Sequence, residues 1–224
     1  MKRSEINKVI KEAIAFLDEM KFRLPHFAEW TPEQWAAAGP EADEIRNNQL
    51  GWDITEFGGG DFGKLGLTIF TLRNGNHSNP ADGKPYAEKI LIVEEEQITP
   101  MHFHKSKMED IINRGGGILV MQVYNSTPEG DLAGTPVTLR LDGCRRTVPA
   151  GSLIRLAPGE SITVTQLLYH KFWAEKGSGK VLAGEVSSVN DDMTDNFFHE
   201  PVGRFPEIEE DEPPFRLLLT EYPK

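Results

Sequence analysis

"TPMHFHKSKMEDIINRGGG", residues 99–117, sets two histidines one residue apart, a glutamate five positions further on and three glycines at its end. Side chains alternate across a strand, so His102 and His104 share one face while Met101 and Phe103 take the other. Glu109 lies past a short bend and can reach the same point from the adjoining segment. The glycines are expected to form a turn on which the chain doubles back beneath that point. If the shared face is a barrel interior, a fourth donor must come from another strand. His170, in the strand-like run "QLLYHKFW", is the best placed of the remaining histidines. Three neutral nitrogens and one carboxylate oxygen, with positions left open, suit an octahedral first-row ion such as Mn2+ or Fe2+ better than a closed tetrahedral zinc site. Taken alone, an HxH pair is equally well read as the solvated end of a strand.

The surroundings of this stretch argue for the barrel. From residue 50 onward short apolar or alternating runs are broken by turn residues: "GWDITEF", "LGLTIFTLRNG", "AEKILIVEEEQITPMHFH", "GGILVMQVYN", "PVTLRLDG", "SLIRLAPGE", "SITVTQLLYHKFWA" and "KVLAGEVSSV". No helical pattern separates them, so an antiparallel barrel or sandwich is expected. Before them, Ile6, Val9, Ile10, Ala13, Ile14, Leu17 and Met20 recur at helical spacing behind Ser4, a suitable N-cap. "WTPEQWAAAG" adds a second helix, with Thr31 as N-cap, Pro32 at the first helical position and Gln34 completing a capping box. The expected organisation is a single domain over 1–224, comprising a helical extension (1–49), a mainly β barrel (50–199) and a tail (200–224) that wraps the barrel or a neighbouring subunit. The acidic "EIEEDE" run in the tail reads as a solvated face. Trp30 and Trp35 read as core, His77 as a loop histidine and His26 as a packing or capping residue.

Composition narrows the partners. The chain has 224 residues with a formal net charge of −11, which disfavours nucleic acid and anionic membrane surfaces, since both need clustered positive charge. No apolar stretch approaches the ~20 residues needed to span a bilayer. Cys144 is the only cysteine, so no intrachain disulfide forms and a reducing, cytoplasmic setting is the default.

The spacing HxHx4E, with Gly116 after six further residues, resembles the first metal motif of the cupin superfamily of small β-barrels. The chain departs from that pattern in carrying Glu96 where a glycine often stands, and in placing His170 eleven residues beyond Gly159. Together with "GEVSSVNDDMTDNFF" (184–198), "GRFPEIEEDEPP" (203–214) and the N-terminal helices, the chain is similar over most of its length to the cupin-type D-lyxose isomerases. The resemblance implies a cytoplasmic, homodimeric, Mn2+-dependent isomerase, with Fe2+, Co2+ or Ni2+ able to replace Mn2+. Such enzymes interconvert D-lyxose with D-xylulose and D-mannose with D-fructose. His102, His104, Glu109 and His170 take the metal positions.

Moving a carbonyl from C1 to C2 through an enediol needs a Lewis acid for the developing oxygen charge and groups that shuttle protons. Lys107, inside the metal motif, and Glu185, at the end of the apolar run "VLAGEV", are the candidate acid and base, expected on opposite faces of the sugar. Without the resemblance they read as a solvated loop charge and a barrel-mouth ion pair. Asp192 and Arg204 are candidates for gripping sugar hydroxyls. Two other readings stay open at this point: a cupin Fe2+ dioxygenase using the same four ligands, and a non-catalytic sugar-binding cupin.

Overall fold

The computed structural model describes residues 1–79, 81 and 83–223; Pro80 in the loop around His77 and Lys224 in the tail lie outside them. Helix α1 (Arg3–Glu19) is followed by α2 (Pro32–Ala37) and α3 (Asp43–Asn47). Fourteen strands follow among the described residues, all antiparallel where they pair: β1 (Gly51–Thr55), β2 (Leu67–Arg73), β3 (Tyr86–Val93), β4 (Thr99–His104), β5 (Glu109–Gly116), β6 (Leu119–Ser126), β7 (Leu132–Ala133), β8 (Val137–Leu141), β9 (Cys144–Val148), β10 (Leu153–Leu156), β11 (Ser161–Val164), β12 (Leu168–Ala174), β13 (Val181–Ser188) and β14 (Asn196–Phe198). They form an eight-stranded sheet, β1-β2-β3-β13-β5-β11-β8-β9, facing a six-stranded sheet, β10-β6-β12-β4-β14, with β7 on β6. No helix among the described residues is long and apolar enough to cross a membrane.

Two cores share the larger sheet, and this explains why its central strands read as unbroken apolar runs. Leu67, Ile69, Leu91, Val93, Val181 and Ala183 point into the barrel, against Met121, Val123 and Phe172 of the opposite sheet. The alternating residues Phe70, Ile90, Ile92 and Leu182 face outward and are covered by Ile6, Ile10, Ala13, Phe16 and Leu17 of α1. A strand buried on both faces has no polar side to show.

The sequence reading is corrected at several places. α1 begins at Arg3 with Lys2 as its N-cap, so Ser4 lies inside the helix. The free N–H groups of its first turn are met by the tail instead: Arg3 N donates to Glu209 O (2.8 Å), and Ser4 N and Oγ donate to the Asp211 carboxylate (2.9 and 2.6 Å). The "EIEEDE" run is therefore exposed but engaged, placing negative charge at a helix N-terminus where the dipole favours it. Arg3, fully buried, ties the same segment down through Glu210 and Glu221. Trp35 is buried as expected, stacked on Tyr222 of the tail at 3.8 Å, but Trp30 is only half-buried beside it. His26 is exposed.

β5 went unread because its inward residues include Glu109 and Asn113, which break the apolar alternation. The glycines do not turn the chain beneath Glu109; Gly115 and Gly116 sit at the other end of β5. Gly116 has φ +87°, and a Cβ there would lie 2.2 Å from the Lys180 carbonyl oxygen. Asn113 explains how that bend is held. Its side chain is fully buried, donates to Gly117 O (2.9 Å) and Leu156 O (2.8 Å), and accepts from Gly115 N (3.0 Å). Asn113→Leu strands these three backbone groups, and a loss of about 3 kcal/mol is expected from the desolvation of unpaired buried polar groups. Chemical denaturation measures it; a loss under about 0.5 kcal/mol contradicts the assignment.

Candidate metal centre and active site

The HxHx4E segment crosses from one sheet to the other. His102 and His104 are on β4 of the smaller sheet, residues 105–108 make the turn, and Glu109 opens β5 of the larger sheet. The turn is fixed from outside its own sequence: Asp195 accepts from Ser106 N (2.7 Å) and Lys107 N (3.0 Å), one carboxylate oxygen to each. β12 lies beside β4 with His170 opposite His102, so the third histidine reaches the cluster from a neighbouring strand.

All four side chains are buried. One nitrogen from each histidine lies within 4.8 Å of the others. Glu109 stands over two of them, its Oε1 3.2 Å from His170 Nε2 and its Oε2 3.3 Å from His104 Nε2. His102 Nδ1 is 2.7 Å from Pro100 O and His170 Nδ1 is 3.0 Å from Leu168 O. A carbonyl can only accept, so both Nδ1 atoms carry the proton and both Nε2 atoms offer a lone pair to the cluster. His170 Nε2 and Glu109 Oε2 have no geometrically sound hydrogen bond among the described residues, despite their short contacts. Buried ligand atoms converging on one point fit a divalent cation held by three imidazole nitrogens, with the Glu109 carboxylate beside them. Burial, reinforced by the neighbouring histidines, pushes His102 well below the ordinary imidazole value; burial and Lys107 push His104 the same way. Burial alone would raise Glu109, but Lys107 and His104 hold it well below the usual carboxylate range.

Lys107 and Glu185 meet in the same cavity. Lys107 Nζ is 2.7 Å from Glu109 Oε2 and 2.8 Å from Glu185 Oε1. Burial opposes its charge, but Glu109, Glu185 and Asp192 outweigh that and hold it as an ammonium, raised above the ordinary lysine value. The two stand side by side rather than on opposite faces of a cleft. Arg204, from the segment after β14, donates to Asp53 and to Asp192 Oδ2 (2.9 Å). Burial would raise Asp192, yet Lys89, Arg204 and Lys107 hold it well below its usual range. His77 is exposed, and His199 lies outside the cluster against Tyr169 (5.7 Å).

Four residues of this wall were not singled out from the sequence: Lys89, Asn190, Asp195 and Asp53. Lys89 sits mid-run in "AEKILIV", directly across from Glu185 in the β3–β13 register, with its Nζ 3.7 Å from Glu185 Oε1 and 3.5 Å from both Asp192 oxygens. A lysine inside a doubly buried apolar strand is the signal that could have found it.

An antiparallel double-sheet barrel of this kind is a cupin-type fold, and its three histidines are placed to hold a divalent metal. L-ribose isomerase from Cellulomonas parahominis, solved with L-ribose, shares the fold at a TM-score of 0.59, with 17% identity over 93% of this chain and 98% of that one. The family model for D-lyxose isomerase matches residues 1–222. The D-lyxose/D-mannose isomerases of Serratia proteamaculans and Escherichia coli O157:H7 are 50% and 48% identical over 223 residues, covering 99% of this chain and 98% of each relative. The chain belongs to the D-lyxose isomerase family and is a sugar isomerase of the aldose–ketose type.

A pH dependence follows from the histidines. In ion-free protein His102 and His104 bind protons less readily than in the unfolded chain, where the ordinary value is 6.5. Below that pH the unfolded state takes up protons the fold refuses, so stability falls as pH falls. Glu109, depressed below 4.5, adds a further loss on acidification below that value. The melting temperature in chelator is expected to decline from pH 7 to pH 5, and His102→Gln to flatten the slope; an unchanged slope contradicts the reading.

Proposed function

We propose that this protein interconverts D-lyxose with D-xylulose and D-mannose with D-fructose, using a divalent ion, Mn2+ first among them, held by His102, His104, Glu109 and His170. The observation that carries the reading is that this donor set and the Lys107–Glu185 pair share one buried cavity in a chain of this family. When bound, the ion supplies Lewis-acid polarisation of the sugar's carbonyl and adjacent hydroxyl.

The remaining chemistry belongs to the chain. Glu185, on β13, is the base that takes the proton from one carbon and returns it to its neighbour. Lys107, kept charged by three carboxylates, places a fixed positive charge, and a proton to lend, beside the oxygen on which negative charge grows. Asp192 and Arg204 hold sugar hydroxyls; Arg204 is anchored for this by its pair with Asp53. The apolar wall of Phe57, Leu67, Leu91 and Phe198 limits water around the reacting carbons. We assign the whole chain to one functional domain, the enzyme to the cytoplasm and its assembly to a homodimer; a single, unpaired cysteine suits a reducing compartment.

Metal-stripped protein under nitrogen is expected to convert neither D-lyxose nor D-mannose, and added Mn2+ to restore ketose formation. Turnover that needs oxygen, or none with any divalent ion, defeats the proposal. Lys107→Met and Glu185→Gln should each lower kcat by about 10²–10⁴, the usual worth of a positioned acid or base, while the protein still binds one Mn2+. Near-native turnover in either variant removes that residue from the reaction.

A further inference from the structure

The Lys107–Glu185 pair is not isolated. Lys89 reaches the same oxygen of Glu185, so two buried ammonium groups converge on one carboxylate oxygen. Like charges brought together inside a barrel repel strongly unless something of opposite polarity lies between them. Besides Glu185 itself, one neutral side chain bridges the two. Asn190 Oδ1 accepts from Lys89 Nζ at 2.5 Å and from Lys107 Nζ at 3.3 Å. Asp192, beside these lysines, accepts from Asn196 Nδ2 at 3.2 Å. An asparagine here supplies one neutral acceptor oxygen shared by two cations. An aspartate would keep that shared oxygen.

Asn190 lies in the loop between β13 and β14, and that loop is anchored at the same residue. Asn74, buried just after β2, accepts from Asn190 N at 2.9 Å and donates to Asn190 O at 3.0 Å, clamping both backbone groups of a single residue. Asn74 is itself held by Asn48: its Nδ2 also donates to Asn48 O (3.1 Å), and Asn48 Nδ2 donates to Asn74 O (3.0 Å). A chain of carboxamides thus runs from the helical extension through the end of β2 into the catalytic wall.

The geometry points to Asn190 as the positioning residue that seats both Lys89 and Lys107 around Glu185, with Asn74 as the clamp that fixes Asn190. The inference rests on the assignment of Lys107 and Glu185 to proton transfer, and it adds Lys89 as the partner that shares the base. Because Asn190 touches the lysines, and the cluster of metal ligands only through them, losing it should misplace the proton-handling groups without emptying the metal centre. Misplacement of about 1 Å costs on the order of 10²-fold in rate.

The test uses Mn2+-loaded wild type, Asn190→Ala, Asn190→Asp and Asn74→Ala, assayed with D-lyxose and D-mannose, with bound Mn2+ counted and crystal structures determined for wild type and Asn190→Ala. Expected are a fall in kcat of about 10–10²-fold in Asn190→Ala and Asn74→Ala, with KM changed less than about threefold and one Mn2+ retained. Asn190→Asp, which keeps the shared oxygen, should recover most of the kcat lost in Asn190→Ala. Near-native kcat in Asn190→Ala overturns the inference, as does equal impairment of the Ala and Asp variants, which would reduce the residue to loop packing. A wild type inactive on both sugars defeats the functional assignment instead. In that case the crystal structures still decide the positioning: displaced Lys89 and Lys107 ammoniums in Asn190→Ala support it, and unmoved ones overturn it.

Discussion

Glu109 is the residue on which the two halves of the site meet. It is the first residue of β5, on the larger sheet, yet its carboxylate touches His104 and His170 from the smaller one and Lys107 from the turn between. A buried carboxylate is tolerated only when its lone pairs are matched by cations or donors on every side. That requirement dictates a lysine in the turn, histidines on the facing strands and a crossing short enough to keep them together. The four-residue spacing between His104 and Glu109 is that crossing.

From this point the charge pattern spreads outward in alternating sign. Lys107 links Glu109 to Glu185, Lys89 links Glu185 to Asp192, and Arg204 links Asp192 to Asp53. Four carboxylates and three cations alternate along this chain of pairs, with the Asp195 carboxylate a fifth on the turn's backbone, and a divalent ion among the histidines would offset their net negative charge. Positive charge placed next to the sugar is what a reaction that builds negative charge on oxygen requires. His102 and His104, kept neutral by burial, would leave their lone pairs to an ion rather than to protons.

How much of this could be read from the sequence follows from how local each contact is. His102, His104, Lys107 and Glu109 lie within eight residues, and strand alternation places the histidines on one face. His170 and Glu185 were legible because each sits as a polar residue in an otherwise apolar run. Lys89, the one lysine inside the run "AEKILIV", carries the same signature. Asn190 and Asp195 could not be found this way: both are ordinary turn residues, and their roles come from contacts about 80–115 residues away along the chain with Lys107 and Asn74. The barrel was legible from its turns and runs. The cap on α1 was not, because an acidic segment some 200 residues downstream supplies it.

The most direct measurement is the anomalous scattering of Mn2+ in crystals of the loaded protein. The account predicts a single strong peak at bonding distance from the Nε2 atoms of His102 and His170, a ring nitrogen of His104 and a Glu109 oxygen, with Lys107 and Glu185 in the same cavity but outside the coordination sphere. A peak elsewhere on the chain, or one that lacks Glu109 and takes Glu185 as a ligand in its place, would contradict it.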